Sequence, residues 1–239
     1  MKLENNSFIV SSVSLLITVS AAFIVMLLII FIMSETPGQT LFYFFIGPFS
    51  NKYYLGNMLN SAIPLILTGL GISFAFRASM FNLGGEGQVY AGGLAATAVC
   101  LSMPNAPGLA GILFAMLAAI LTGAFVAGIS GFFKLKWSTD ELISSFLISN
   151  ALIYIVDFFI TGPLDDPQNN LLTTARIAEQ FRFLKIFPPS SLDISIFMVL
   201  ILAAAAWFYM FRTHQGYELR MSGLNPDFAR YGGIKIGKY

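Results

Sequence analysis

The sequence predicts an all-α fold: a polytopic helical integral membrane protein with about six transmembrane segments and a broken or re-entrant helix near residues 77–90. Three observations carry this. Hydrophobic residues make up 56% of the 239 and charged residues only 10%, against about 25% charged in a soluble domain. Mean hydropathy is +0.77. The apolar residues gather in six runs, most of them long enough for a hydrocarbon core roughly 30 Å thick. The net charge of +1 comes with no basic cluster, so membrane lipid is an expected partner and nucleic-acid polymer is not. Cys100 is the one cysteine and can form no internal disulfide.

The first run, Phe8–Met33, is about 26 residues, longer than a signal-peptide core and long enough to span, which predicts an uncleaved first helix. Leu59–Phe76 follows and contains Pro64. Tyr90–Met103 is short unless it borrows from the glycine-rich stretch before it. Gly108–Phe133, Leu142–Thr161 and Ile194–Phe211 complete the six. Connections are short except Ser34–Met58 and Gly162–Asp193, so residues 1–239 read as one membrane domain.

Loop charges predict orientation, because cytoplasmic loops collect lysine and arginine. With the amino terminus inside, Lys2, Arg77, Lys134, Lys136, Arg212, Arg220, Arg230, Lys235 and Lys238 are cytoplasmic. Lys52, Arg176, Arg182 and Lys185 are outside, nine against four of the 13 basic residues. Met1 and Tyr239 then both face the cytoplasm, and Trp137, Trp207 and Tyr209 lie at the inner interface.

In the Gly108–Phe133 run, Gly111, Ala115, Ala119, Gly123, Ala127 and Gly131 place a small residue at every fourth position. Such ridges let helix backbones approach closely in lipid. A step of four drifts by about 40° at 3.6 residues per turn, so two neighbours are expected on this ridge. Ser138 or Thr139 is the expected cap of the next helix, with Asp140 and Glu141 as first-turn acids suited to the helix dipole. In the outer connection, Ile177, Phe181 and Leu184 recur at helical spacing, with Thr173 or Thr174 as cap. They predict a short amphipathic helix, a lid or a docking surface for an external partner.

The segment Phe76–Gln88, FRASMFNLGGEGQ, sets Arg77, Asn82, Glu86 and Gln88 between two apolar runs. A charge at mid-membrane costs from about 2.5 to above 10 kcal/mol, and each of Gly84, Gly85 and Gly87 weakens a helix by roughly 1 kcal/mol against alanine. Broken backbone at membrane depth survives only where protein or a water-filled cavity receives it. The segment reads as a short inner loop, a re-entrant segment or a broken helix. Substrate-path candidates are Asn60, Phe81, Asn82, Gly84, Gly85, Glu86 and Gln88. Glu86 has a second reading, in which its carboxylate accepts N–H bonds freed by the glycine break.

After the last run, Asn225 is a good N-cap, Pro226 suits the first helical position and Asp227 suits the dipole. Gly232 and Gly233 would stop the helix, giving Pro226–Tyr231. The stretch GGIKIGK at 232–238 meets part of the phosphate-loop pattern. It has Tyr239 where a compact hydroxyl is required and no strand before it, so ATP binding by this chain is rejected. No catalytic constellation and no metal-ligand set stands out.

FNLGGEGQ after PLILTGLGISFAFRASM, together with GYELRMSGLNPDFARYGGI, resembles the permease subunit of ABC importers of the ribose and branched-chain amino acid type. It is most similar to the nucleoside branch. The resemblance runs from about Asn57 onward. It implies that Phe81–Gln88 lines or supports the path, and that residues 212–239 form a cytoplasmic coupling loop. There Gly216, Arg220, Gly223, Asn225, Pro226, Ala229, Arg230 and Gly232 would serve a separate ATPase, with Ala229 facing its groove. ATP and magnesium would sit on that ATPase, and a second permease and an extracellular or periplasmic solute-binding protein would complete a bacterial or archaeal cell-membrane importer. Gly85 stands where that branch commonly has alanine, and Ser149-Asn150 where a single asparagine is frequent. The chain resembles the amino-terminal part of such a permease. The contrasting readings are an ion-driven transporter using Glu86, with uptake that needs no ATPase, and a structural membrane subunit tolerant of losing Glu86.

Overall fold

A computed structural model describes residues 2–235; Met1, Lys238 and Tyr239, and the end of the GGIKIGK stretch, lie outside the described residues. Ten α-helices follow in order: α1 (Lys2–Met33), α2 (Pro37–Phe45), α3 (Gly47–Ser50), α4 (Lys52–Arg77), α5 (Gly85–Ser102), α6 (Gly108–Trp137), α7 (Glu141–Thr161), α8 (Ser195–Arg212), α9 (His214–Leu224) and α10 (Pro226–Tyr231). Among the described residues there is no strand, only two isolated bridges.

Five helices, α1, α4, α6, α7 and α8, are long and apolar enough to cross a membrane. The sixth predicted span is α5. It begins at Gly85 rather than Tyr90, so it does borrow from the glycine-rich stretch, and its first turn carries Glu86 and Gln88. Its neighbours explain why it can be the least apolar: α5 packs on both α6 and α7, which also pack on each other. A helix covered by protein needs no apolar lipid-facing surface. The expected long connection Ser34–Met58 is instead helical, taken up by α2, α3 and the first turns of α4. Pro37 and Pro48 each occupy the first turn of a short helix, where a missing N–H costs nothing.

Two compact units divide the chain: residues 1–60 with 187–192, and residues 61–186 with 193–239. Within the first, Gly56 is buried against Ser190, and the Asn57 carboxamide oxygen accepts the Ser191 N–H at 2.9 Å. Within the second lies the α5–α6–α7 triplet. The predicted ridge on α6 serves it in two halves. Gly111 and Ala115 pack on Phe181 and Cys100, and Ala119 lies under Gly92 of α5. Gly123 and Gly131 have open space beside them.

Two expectations need correction. The outer connection forms no amphipathic helix, only one 3₁₀ turn at Glu179–Phe181. Tertiary contacts override the local pattern there. Phe181 seats on Gly111, while the Gln180 side chain donates to the Pro104 and Ala106 carbonyls at 2.6 and 3.0 Å. Leu184 stays exposed and Thr174 pairs with Asp165. At the start of α7 the cap is Asp140, which accepts the Leu142 N–H at 2.9 Å. Ser138 instead ends α6 with a positive φ of 52°.

Candidate functional site

Helix α4 ends at Arg77 and α5 starts at Gly85, so the predicted break is the connection 78–84. The connection is tied down from several sides, and α7 supplies the ties at Phe81 and Leu83. Glu141, Ser145 and Ser149 recur every fourth position and so share one face of that helix. Glu141 accepts the Phe81 N–H at 3.4 Å, Ser145 the Leu83 N–H at 2.9 Å, and Ser149 the Gly87 N–H at 2.8 Å. This ladder supplies acceptors to backbone donors that would otherwise be orphaned at the start of α5. Ser145 and Ser149 are each 3% exposed. Asn82 adds a fourth acceptor, taking the Gly84 N–H at 2.7 Å.

The glycines are there for approach rather than for helix breaking. A Cβ on Gly87 would lie 2.6 Å from the Ser149 Cα, and one on Gly84 3.3 Å from the Ser145 carbonyl oxygen. Gly85 and Gly87 lie inside α5, so the break ends earlier than the sequence pattern suggests. The approach of α5 to α7 is close because Gly87 has no side chain and the small Ser149 hydroxyl bonds its N–H.

Lys134, at the end of α6, completes the anchorage. Its Nζ donates to Glu141 at 2.6 Å and lies 3.5 Å from the Met80 sulfur. The Glu141 side chain is only 13% exposed, and a buried carboxylate requires such a partner. The local pattern marks Glu141 as a first-turn acid and does not single out Ser145. The available signal is the four-residue spacing of the polar positions 141, 145 and 149 on a mostly apolar helix.

Two clefts separate α4 from α5. The first, about 380 Å³, is lined by Pro64, Leu65, Thr68, Ile72, Phe76, Asn82, Leu83, Gly85, Glu86, Val89 and Tyr90. The second, about 670 Å³, runs past Asn82, Gly85 and Gln88 to the open half of the α6 ridge at Ala119, Gly123 and Ala127. Asn82, Gly85, Glu86 and Gln88 therefore come together. Glu86 is exposed in the first cleft, and no ion pair or hydrogen bond engages its carboxylate among the described residues. The reading that it binds the freed N–H groups is overturned, since Asn82, Ser145 and Ser149 hold them. Gly84 is buried in the α7 contact, and Phe81 packs on Phe76 with ring centroids 5.2 Å apart and planes tilted by 59°. Asn60 belongs to the other unit and lines neither cleft.

The carboxyl segment is two helices. The predicted helix Pro226–Tyr231 is α10, capped by Asn225, whose side chain accepts the Phe228 N–H at 3.0 Å. Gly233 takes the left-handed turn after it, with φ of 83°. Ala229 is 1% exposed and packs within the chain, so it cannot face a partner. Three large apolar residues stay outward beside the charged Asp227 and Arg230: Leu224 is 78%, Phe228 67% and Tyr231 95% exposed. Gly216 lets α9 press on the last turn of α8, where a Cβ would meet the Tyr209 and Met210 carbonyls. Arg220 stacks on Phe211, 5.1 Å from its ring centre, and Arg230 reaches toward Asp227 at 4.0 Å.

Residues 54–239 match a protein family described as the permease component of branched-chain amino acid transport systems. Among similar proteins is a probable riboflavin import permease of Treponema pallidum, 31% identical over 212 residues, covering 89% of this chain and 56% of that protein. A guanosine ABC transporter permease of Bacillus subtilis is 30% identical over 197 residues, covering 80% of this chain and 56% of the other. A glucose ABC transporter permease of Haloferax volcanii is 30% identical over 200 residues, covering 80% and 52%. The chain spans about half the length of these relatives. No solved structure matches it. With apolar helices of membrane length and a family match over residues 54–239, the chain belongs to the branched-chain amino acid transport system permease-component family and is an integral membrane protein.

Proposed function

We propose that this chain forms the translocation path of an ATP-driven importer for a small polar solute, a nucleoside or a related sugar-containing compound. The observation that carries the reading is the juxtaposition of Asn82, Glu86 and Gln88 in clefts beside α5, on a backbone fixed by the α7 ladder. A hydroxyl-rich cargo needs donors and acceptors on a preorganised frame, and an amide pair with a carboxylate offers both. Relatives named for riboflavin, guanosine and glucose share cargo of that chemistry. The chain performs no covalent chemistry in this scheme. ATP hydrolysis belongs to a separate ATPase, a solute-binding protein delivers cargo, and a second permease completes the path.

The ATPase seat is the outward apolar face of α9–α10, namely Leu224, Phe228 and Tyr231, rather than Ala229. Phe228→Glu places a charge on this face without entering the core. It should leave the permease folded and inserted, and should strip the ATPase from the purified assembled transporter. Equal ATPase recovery from the variant and the unaltered transporter, with normal uptake, removes the importer reading.

Orientation is part of the same proposal, with the α6–α7 turn and α9–α10 in the cytoplasm. In a Cys100→Ser background, a membrane-impermeant thiol reagent applied to intact cells should label Gln168→Cys and spare Thr139→Cys. Both positions are exposed, so labelling in the opposite sense would mean that the chain runs the other way.

A further inference from the structure

The connection that ends at the clefts begins at the carboxyl segment. Gly223, in the last turn of α9, lies directly on the end of α4. An added Cβ there would collide with the Arg77 carbonyl oxygen and sit 2.9 Å from the Ala78 carbonyl carbon. The Ser79 hydroxyl donates to the Gly223 carbonyl at 2.6 Å, satisfying one of the acceptors that a helix end leaves free. Ser79 also holds a φ of 55°, a conformation uncommon for residues other than glycine. Beside it, the guanidinium groups of Arg77 and Arg220 both lie over the Phe211 ring, at 4.9 and 5.1 Å.

Four residues further on, Leu83 lines the first cleft and gives its N–H to Ser145. An extended stretch of that length reaches no more than about 14 Å, so little slack separates the two ends. Along the connection, Met80 contacts Lys134, Phe81 bonds Glu141 and Gly84 bonds Asn82. A displacement of α9 therefore has one short, tied segment through which to act on the cleft.

We infer that Ser79 is a positioning residue that transmits movement of α9–α10 to the cleft through its hydrogen bond to Gly223. The inference rests on the proposed importer function and adds to it the route by which an ATPase would act on the path. The reporter is Leu83→Cys in a Cys100→Ser background of the assembled transporter, labelled with N-ethylmaleimide in the presence and absence of ATP and vanadate. With Ser79 intact, trapping should change the labelling rate. Ser79→Gly removes the hydroxyl while suiting the positive φ, so ATPase recovery and thermal stability should be unchanged. The ATP-dependent change in labelling should shrink about five- to tenfold, the scale of one hydrogen bond used as a coupling element. Ser79→Asn tolerates the same φ and keeps a donor, so it should recover part of the response, which a purely structural role would not predict. A full response in Ser79→Gly overturns the inference alone. No response with Ser79 intact overturns the importer reading and this inference together.

Discussion

Gly87→Ala is expected to cost the protein its folded state, while Gly93→Ala, six positions along the same helix, is expected to be neutral or stabilising. Alanine normally gains up to about 1 kcal/mol over glycine in a helix interior, and Gly93 has nothing within 4 Å of where a Cβ would go. At Gly87 the new methyl would stand 2.6 Å from the Ser149 Cα and 2.9 Å from its carbonyl oxygen. Those are backbone atoms and cannot rotate away, so α5 and α7 must separate. Overpacking costs about 1–3 kcal/mol. Separation also breaks the Gly87 N–H bond to Ser149, and an unpaired buried donor costs a further 1–3 kcal/mol or so. The clash outweighs the propensity gain. Thermal unfolding in detergent, followed by size-exclusion fluorescence, should show a large downward shift for Gly87→Ala and none for Gly93→Ala. Equal stability of the two variants would mean that α5 and α7 do not meet at Ser149.

The residue immediately before has the opposite expected behaviour. Glu86→Ala and Glu86→Gln should both fold as well as the unaltered protein, because the carboxylate is exposed in the cleft and its neighbours' N–H groups are held by other side chains. Uptake by the assembled transporter should fall about ten- to a hundredfold in Glu86→Ala. That corresponds to losing one hydrogen bond to a charged group, worth about 1.5–3 kcal/mol. Glu86→Gln keeps an acceptor oxygen and should fall less. Normal uptake in both variants, measured with radiolabelled guanosine and with glucose, would remove Glu86 from the path. Loss of folding in both would show that the side chain supports the break after all.

The sequence by itself determined much of what depends on residues close in the chain, although it placed the α7 cap at Ser138 or Thr139 instead of Asp140. Apolar runs are written residue by residue, so the membrane class, most of the spans and the interruption after Arg77 were legible. The α10 cap was equally so, because Asn225 needs only the N–H of Phe228, three residues away. Composition also found the cleft residues Asn82, Glu86 and Gln88, since polar groups between apolar runs must be received by something. What the local pattern could not supply was the partner. Glu141, Ser145 and Ser149 meet Phe81, Leu83 and Gly87 across some 60 positions of chain. That meeting depends on how far α5 slides and rotates against α7, a register that neither helix encodes alone.

The same reason separates glycine as a helix breaker from glycine as a contact. Gly84 and Gly87 weaken a helix wherever they stand, yet only the packed structure reveals Ser145 and Ser149 against them. Ala229 and Phe228 are neighbours on one short helix, and nothing in their spacing says which is covered. Docking of α10 on α9 buries the small residue and leaves the ring outside. The outer connection failed for a related reason. Its helical spacing was real, but Gln180 gained two carbonyl partners and Phe181 a glycine-lined seat. A three- or four-residue helical propensity, worth a few tenths of a kcal/mol per residue, is outweighed by such contacts. Local chemistry fixed which segments could enter the membrane, and tertiary packing decided which side chains hold the break and which are left to meet cargo and partners.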